Sequence, residues 1–221
     1  MINKDNYVEQ LEYVIKQMLR PLKDIPLKLV IEALCGKKII PFDRADTKDQ
    51  QVLENLKKVC VIAGNEVNKK GIVRARPNEV GNDIEPFVKG ALKLVSYQAH
   101  TPKTMNGKSK ATGYPDIEFI DESGRPNYLE CKTYNIENIS TTQRSFYLSP
   151  SEDFKITKDA HHLVLSFEVF IAGTSGRNYV FKCKSWKILS VENLLVDVKY
   201  EFNSDNRRLY SEDLILAEGT L

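Results

Sequence analysis

Asp116, Glu130 and Lys132 are the side chains whose types and spacing suit chemistry on a phosphate. Between Tyr114 and Ile120 the residues alternate, with Ile117 and Phe119 on one side and Asp116, Glu118 and Ile120 on the other, as a strand requires. The stretch Asp121 to Pro126 holds the Gly124 and Pro126 of a hairpin loop, and the chain returns over Asn127 to Thr133. If the arms pair antiparallel, Asp116 faces the region of Glu130 and Lys132. Side chains alternate along a strand, so Glu130 and Lys132 share a face and Cys131 turns away. Two carboxylates and one ammonium then meet at one end of a hairpin. Carboxylate oxygens are the ligands a hard cation such as Mg2+ prefers, with phosphate oxygens completing its shell. The main-chain carbonyl of Cys131, between the two functional side chains, offers a further ligand. Such an ion polarises a scissile phosphodiester and lowers the pKa of a bound water, while Lys132 orients that water or stabilises developing charge. The plain alternative is a solvated acidic hairpin with weak ion pairs.

Pro115-Asp116, thirteen intervening residues, then Glu130-x-Lys132 resembles the signature of the PD-(D/E)xK nuclease superfamily, to which type II restriction endonucleases belong. The resemblance implies that Asp116 and Glu130 bind Mg2+ and that Lys132 assists the attacking water. It implies a restriction-endonuclease-like core and a Mg2+-dependent, site-specific cut of double-stranded DNA that leaves 5'-phosphate ends. It also implies a homodimer on a palindromic site, with a cognate DNA methyltransferase as functional companion. In that family the helix before the catalytic hairpin often presents a carboxylate to the metal, and Glu85 holds the matching place. The other reading of Glu85 is a first-turn acid complementing the helix dipole, shared with Glu79 and Asp83.

The elements that must position these groups follow from composition and periodicity. A chain of 221 residues is long enough for one domain with a proper core. We expect residues 1–64 to be a helical region, 65–200 the catalytic core and 201–221 a tail. Tyr7, Leu11, Val14, Ile15 and Met18 recur at helical steps up to about Pro21, a short apolar patch runs from Leu27 to Leu34, and Gly36 closes it. Asp46 opens another helix, with Val52, Leu53, Leu56, Val59 and Cys60 on one face and Gly64 as its stop. Core packing accounts for these stripes. Ile84, Phe87, Val88, Ala91 and Val95 mark a helix running to about Tyr97. It begins near Asp83 or carries a kink at Pro86, which is comfortable only in a first turn. His162 to Ala172 is nearly continuously apolar and reads as a central strand covered on both faces. Neighbouring His161 and His162 point opposite ways and read as structural. Gly173 to Asn178 turns into Tyr179 to Cys183, and Trp186, Ile188 and Leu189 continue as strand. Helices, a hairpin and further strands make an α/β domain with a mixed central sheet flanked by helices.

Binding residues are sought where cations cluster. Net charge is only +2, yet residues 64–113 carry nine lysines and arginines against four acids, a local balance of +5. The loop from His100 to Gly113 has Lys103, Lys108 and Lys110 and no acid, which suits a phosphate backbone or an ordinary solvated loop. Arg144, in a polar and aromatic stretch, offers a planar fork for phosphate or guanine. Asn78 and Lys155 complete the expected DNA contacts. Cys35, Cys60, Cys131 and Cys183 are scattered without metal spacing, which favours free thiols in a reducing cytoplasm. No apolar run approaches a membrane span, and no Walker-type nucleotide motif is present. Two other functions stay open: a repair or junction-resolving nuclease on the same core, and a DNA-binding protein without catalysis.

Overall fold

The computed structural model describes residues 4–18, 22–76, 79–110, 112–135, 146–148, 153–198, 206–209, 211 and 214–215. They belong to two compact units, Pro26–Leu194 and a smaller one drawn from Met1–Ile25 and Leu195–Leu221. In chain order the elements are α1 (Lys4–Met18), β1 (Ile25–Pro26), α2 (Leu27–Cys35), α3 (Thr47–Lys70), β2 (Ile72–Arg74), α4 (Gly81–Leu94), β3 (Gln98–His100), β4 (Ile117–Ile120), β5 (Pro126–Tyr134), β6 (His161–Ser175), β7 (Asn178–Ser190), β8 (Leu195–Val196) and α5 (Asn206–Leu209).

The large unit is organised by a six-stranded mixed sheet in the order β2-β7-β6-β5-β4-β3. Only β5 and β6 run parallel; every other pairing is antiparallel. The expected α/β class, a mixed sheet flanked by helices, is what forms. The predicted hairpin is β4–β5, with Ile117 opposite Leu129 and Ile120 opposite Pro126. Its turn is held by Asp121, whose Oδ1 accepts from the amides of Ser123 and Arg125, both at 2.9 Å. Gly124 meets the turn's demand for positive φ, at +76°. Arg125 bonds Asp121 at 2.8 Å and reaches Asp49 near the start of α3 at 2.6 Å, tying the hairpin to that helix.

The core lies where α3 and α4 cover one face of the sheet. Val52, Leu56, Val59, Cys60, Ala63 and Val67 of α3, and Ile84, Val88, Ala91 and Leu92 of α4, pack with Ile117, Phe119, Leu129, Cys131, Leu163, Leu165 and Phe167. Alternation then assigns Tyr128, Glu130 and Lys132 to the opposite face.

Four expectations change. The third helix does not stop at Gly64 but runs to Lys70, ending at Gly71 with φ +71°. Its apolar stripe continues through Ala63 and Val67, and Gly64 faces β7, where an added Cβ would lie 3.9 Å from the Cβ of Cys183. The helix carrying Pro86 begins at Gly81 and ends at Leu94, so Pro86 lies inside it. Strand β6 is buried only as far as Val169; Phe170 and Ile171 are exposed. In the smaller unit the stripe of α1 is not core, since Tyr7, Leu11, Val14, Ile15 and Met18 are all exposed. There, Asp24 donates its amide to Asp197 at 3.0 Å and Val198 donates to the Leu22 carbonyl at 2.9 Å.

Gly64 inside α3 and Gly71 just past its end should respond in opposite directions. Gly64→Ala meets only an ordinary contact and improves helix propensity, so it should stabilise by up to about 1 kcal/mol. At Gly71 the positive φ and a Cβ position 2.7 Å from Val180 Cγ1 should make Gly71→Ala cost more than about 1 kcal/mol. Urea unfolding of both variants reads the difference.

Candidate active site

The first arm of the hairpin reaches the site as extended chain. Asp116 precedes β4 and donates its amide to the Leu129 carbonyl at 3.1 Å. Its Oδ2 accepts from the Cys131 amide at 2.8 Å, which holds the carboxylate across the end of the hairpin beside Glu130. Glu130 is 5 % exposed, its Oε1 accepts from Lys132 Nζ, and its buried Oε2 has no hydrogen-bond partner among the described residues. The Lys132 ammonium also lies 5.3 Å from the centre of the Phe146 ring. The structure thus brings Asp116, Glu130 and Lys132 together, while the Cys131 side chain turns into the core below α4.

Electrostatics mark the two carboxylates as strained by their surroundings. Burial pushes Glu130 up to about 7, and the Asp116 charge adds to that, against the pull of Lys132. Burial also raises Asp116; the Cys131 amide opposes the rise and the Glu85 charge reinforces it. Two partly desolvated like charges, one of them with a buried oxygen that has no partner among the described residues, suit a divalent cation, which would supply the missing counter-charge and take that oxygen as a ligand.

Glu85 is placed differently from its neighbours. It pairs with Lys89 one turn on, and Lys89 Nζ also donates to Thr101 Oγ1 at 2.6 Å. Among the described residues no three His, Cys, Asp or Glu side chains gather closely enough to hold a metal ion. An ion here would be held by two carboxylates, with main-chain, water or phosphate oxygens filling its shell. Glu85 acts on the pair through its field.

Of the expected DNA contacts, Lys103 and Lys108 are exposed. They belong to a tight hairpin rather than an open loop: Lys103 bridges Ser109, and Thr104 donates to the Lys108 carbonyl at 2.9 Å. Lys110 lies 3.3 Å from Asp153, so an acid outside the loop offsets the charge read there as a phosphate contact. Lys155 requires a correction. It is 3 % exposed and donates to the carbonyls of Gly113 at 2.6 Å and Pro115 at 3.1 Å, beneath the site rather than on a surface. Asn78 and Arg144 lie outside the described residues.

Other groups were not singled out in the sequence. Tyr114 is buried, shares a 2.7 Å hydrogen bond with His162 Nδ1 and donates its amide to Tyr147 at 2.9 Å. Burial pushes His162 down to about 3, keeping the ring neutral as a structural histidine should be. A hollow of about 510 Å³ opens where Lys37, His100, Lys103 and Lys158 surround Glu118. Glu118 is two residues along from Asp116, pairs with Lys158 at 2.5 Å and lies 3.8 Å from His100. Its basic wall comes from segments far apart in sequence, so no linear pattern announces it.

The model of a family described as the type II restriction enzyme MjaV family matches residues 21–213. The chain belongs to that family. The type II restriction enzyme MjaV of Methanocaldococcus jannaschii is 41% identical over 231 residues, covering 98% of this chain and 98% of that protein. No solved structure matches the chain. Membership of the MjaV family makes this chain a type II restriction enzyme, an endonuclease, and the Asp116-Glu130-Lys132 cluster is its candidate site.

The raised Glu130 carboxyl has a measurable consequence without metal. Its folded pKa of about 7 lies above the ordinary 4.5, so the cost of ionising it is absent below the ordinary value and complete above the folded one. In EDTA at pH 8, Glu130→Gln should therefore raise Tm by roughly 5 °C, the equivalent of about 1–2 kcal/mol in a chain of this size. At pH 4 the gain should vanish.

Proposed function

We propose that this family member hydrolyses one phosphodiester in each strand of a short, specific duplex DNA sequence, with Mg2+ as cofactor, as a member of the PD-(D/E)xK superfamily. The observation that carries the reading is the half-buried Asp116 beside the buried Glu130, whose Oε2 has no hydrogen-bond partner among the described residues, with the Lys132 ammonium against it. Asp116, Glu130 and the Cys131 carbonyl would hold the cation. When bound, it polarises the scissile phosphate and lowers the pKa of a bound water. Lys132 orients the attacking water and stabilises the charge that develops on phosphorus oxygens. Glu85 raises the negative field that draws the cation in, and Lys89 fixes its position. Attack on phosphorus with loss of the 3'-oxygen leaves 5'-phosphate and 3'-hydroxyl ends.

DNA lies across the opposite sheet face from α3 and α4, its backbone tracked by Lys103 and Lys108 and by the basic hollow beside Glu118. Arg144 and Asn78 are base or backbone contacts. A palindromic site is met by a homodimer, since twofold symmetry in the DNA is matched by twofold symmetry in the protein. The enzyme works in the cytoplasm beside a methyltransferase that protects the host's own sites. No described helix is long and apolar enough to cross a membrane.

Digestion of a sequenced plasmid with Mg2+ tests the central claim. Wild type should give discrete fragments, and Asp116→Ala should lower the rate by on the order of 1,000-fold or more, the scale of losing metal-assisted charge stabilisation. An Asp116→Ala enzyme that still cuts at comparable rate would remove the proposed site. Lys37→Ala with Lys103→Ala should weaken binding to every duplex about equally and make its salt dependence shallower by roughly one unit of slope per phosphate lost. Fluorescence anisotropy across a salt series measures both.

A further inference from the structure

We infer that Lys155 is a positioning residue of the cleavage site, a buried ammonium that fixes the backbone leading into Asp116 by bonding the carbonyls on either side of Tyr114. This rests on the reading of Asp116 as a metal-binding carboxylate and adds a residue to it.

The argument begins with cost. An ammonium is expensive to bury, and a buried one normally has a carboxylate partner. Lys155 is almost wholly enclosed, yet among the described residues its direct partners are two neutral oxygens, Gly113 O at 2.6 Å and Pro115 O at 3.1 Å. A methionine would fill the same space without that cost. Burial still holds the Lys155 ammonium below its usual range, and the charges of Asp116, Glu130 and Glu85 offset part of that cost. Its ammonium therefore does two things from one position, balancing the carboxylates and clamping the strand that delivers one of them.

The clamp closes a set of bonds along four residues. Lys155 donates to Gly113 O and Pro115 O, the Tyr114 amide donates to Tyr147 O, and the Tyr114 hydroxyl shares a hydrogen bond with His162 Nδ1. Leu129 O takes the Asp116 amide, and Asp116 Oδ2 takes the amide of Cys131. Pro115 has no amide to offer. Without Lys155 the Pro115 carbonyl, one bond from Asp116, loses its donor. A carboxylate displaced by an ångström costs about 100-fold in rate.

Cleavage kinetics on a duplex carrying the identified site, with melting curves, compare wild type, Lys155→Met, Lys155→Gln, Lys155→Arg and Asp116→Ala. Lys155→Met should keep a folded Tm, lose about 100-fold in kcat and hold KM for DNA within about threefold. Hydrogen exchange of the Tyr114 and Asp116 amides should accelerate, and Lys155→Arg, which keeps charge and donors, should recover about tenfold over the Met variant. Should the Met variant not fold, Lys155→Gln is judged by the same criteria. Wild-type kcat in the neutral variants, a loss confined to KM, or an Arg variant no better than Met would each overturn the inference. An active Asp116→Ala would instead overturn the reading of the site itself.

Discussion

The Cys131 amide donates to the Asp116 carboxylate across the hairpin, and the geometry of the candidate site depends on that contact. It belongs to β5 and therefore inherits whatever holds that strand: its antiparallel register with β4 and its parallel register with β6. Shifting either pairing by one residue would turn Glu130 into the core and bring Cys131 out, because neighbours on a strand face opposite ways. Cys131 is enclosed with Leu129 under α4, while Glu130 and Lys132 look the other way. Packing on one face thus sets the register that the chemistry on the other requires.

Much of this was readable from residue order because the governing interactions are local. The alternation around Ile117 and Phe119, the turn at Gly124 and the two-residue step from Glu130 to Lys132 are all properties of short segments. The α3 boundary was misread because a glycine is the usual helix stop; here Gly64 accommodates β7, and that strand lies more than a hundred residues away. Lys155 was misread for a related reason. Grouped with Lys158 it looks solvated, but it stands between the buried apolar Phe154 and Ile156, and its ammonium meets the carbonyls of Gly113 and Pro115 from a distant part of the chain. Nor does sequence tell that Lys110 meets Asp153 or that Lys37 and Lys158 face one hollow.

The site also shows how stability is exchanged for reactivity. A buried carboxylate with a bare oxygen is unfavourable in a folded chain, and so is an ammonium bonded only to carbonyls. The surrounding scaffold tolerates both: Arg125 bridges Asp49 and Asp121 with His161 3.3 Å from Asp49, and a neutral His162 supports Tyr114. Those contacts anchor the hairpin at both ends, and the unfavourable groups lie between the anchors.

Glu118 lies on the same strand face as Asp116, two residues further along, which is roughly 6.6 Å of extended chain. The acid that gathers Lys158 and His100 and the acid of the candidate site are consequently joined by one rigid length of backbone. Under the proposed cleavage reading, a polyanion seated on those lysines would be gauged against the scissile position by this short length of backbone.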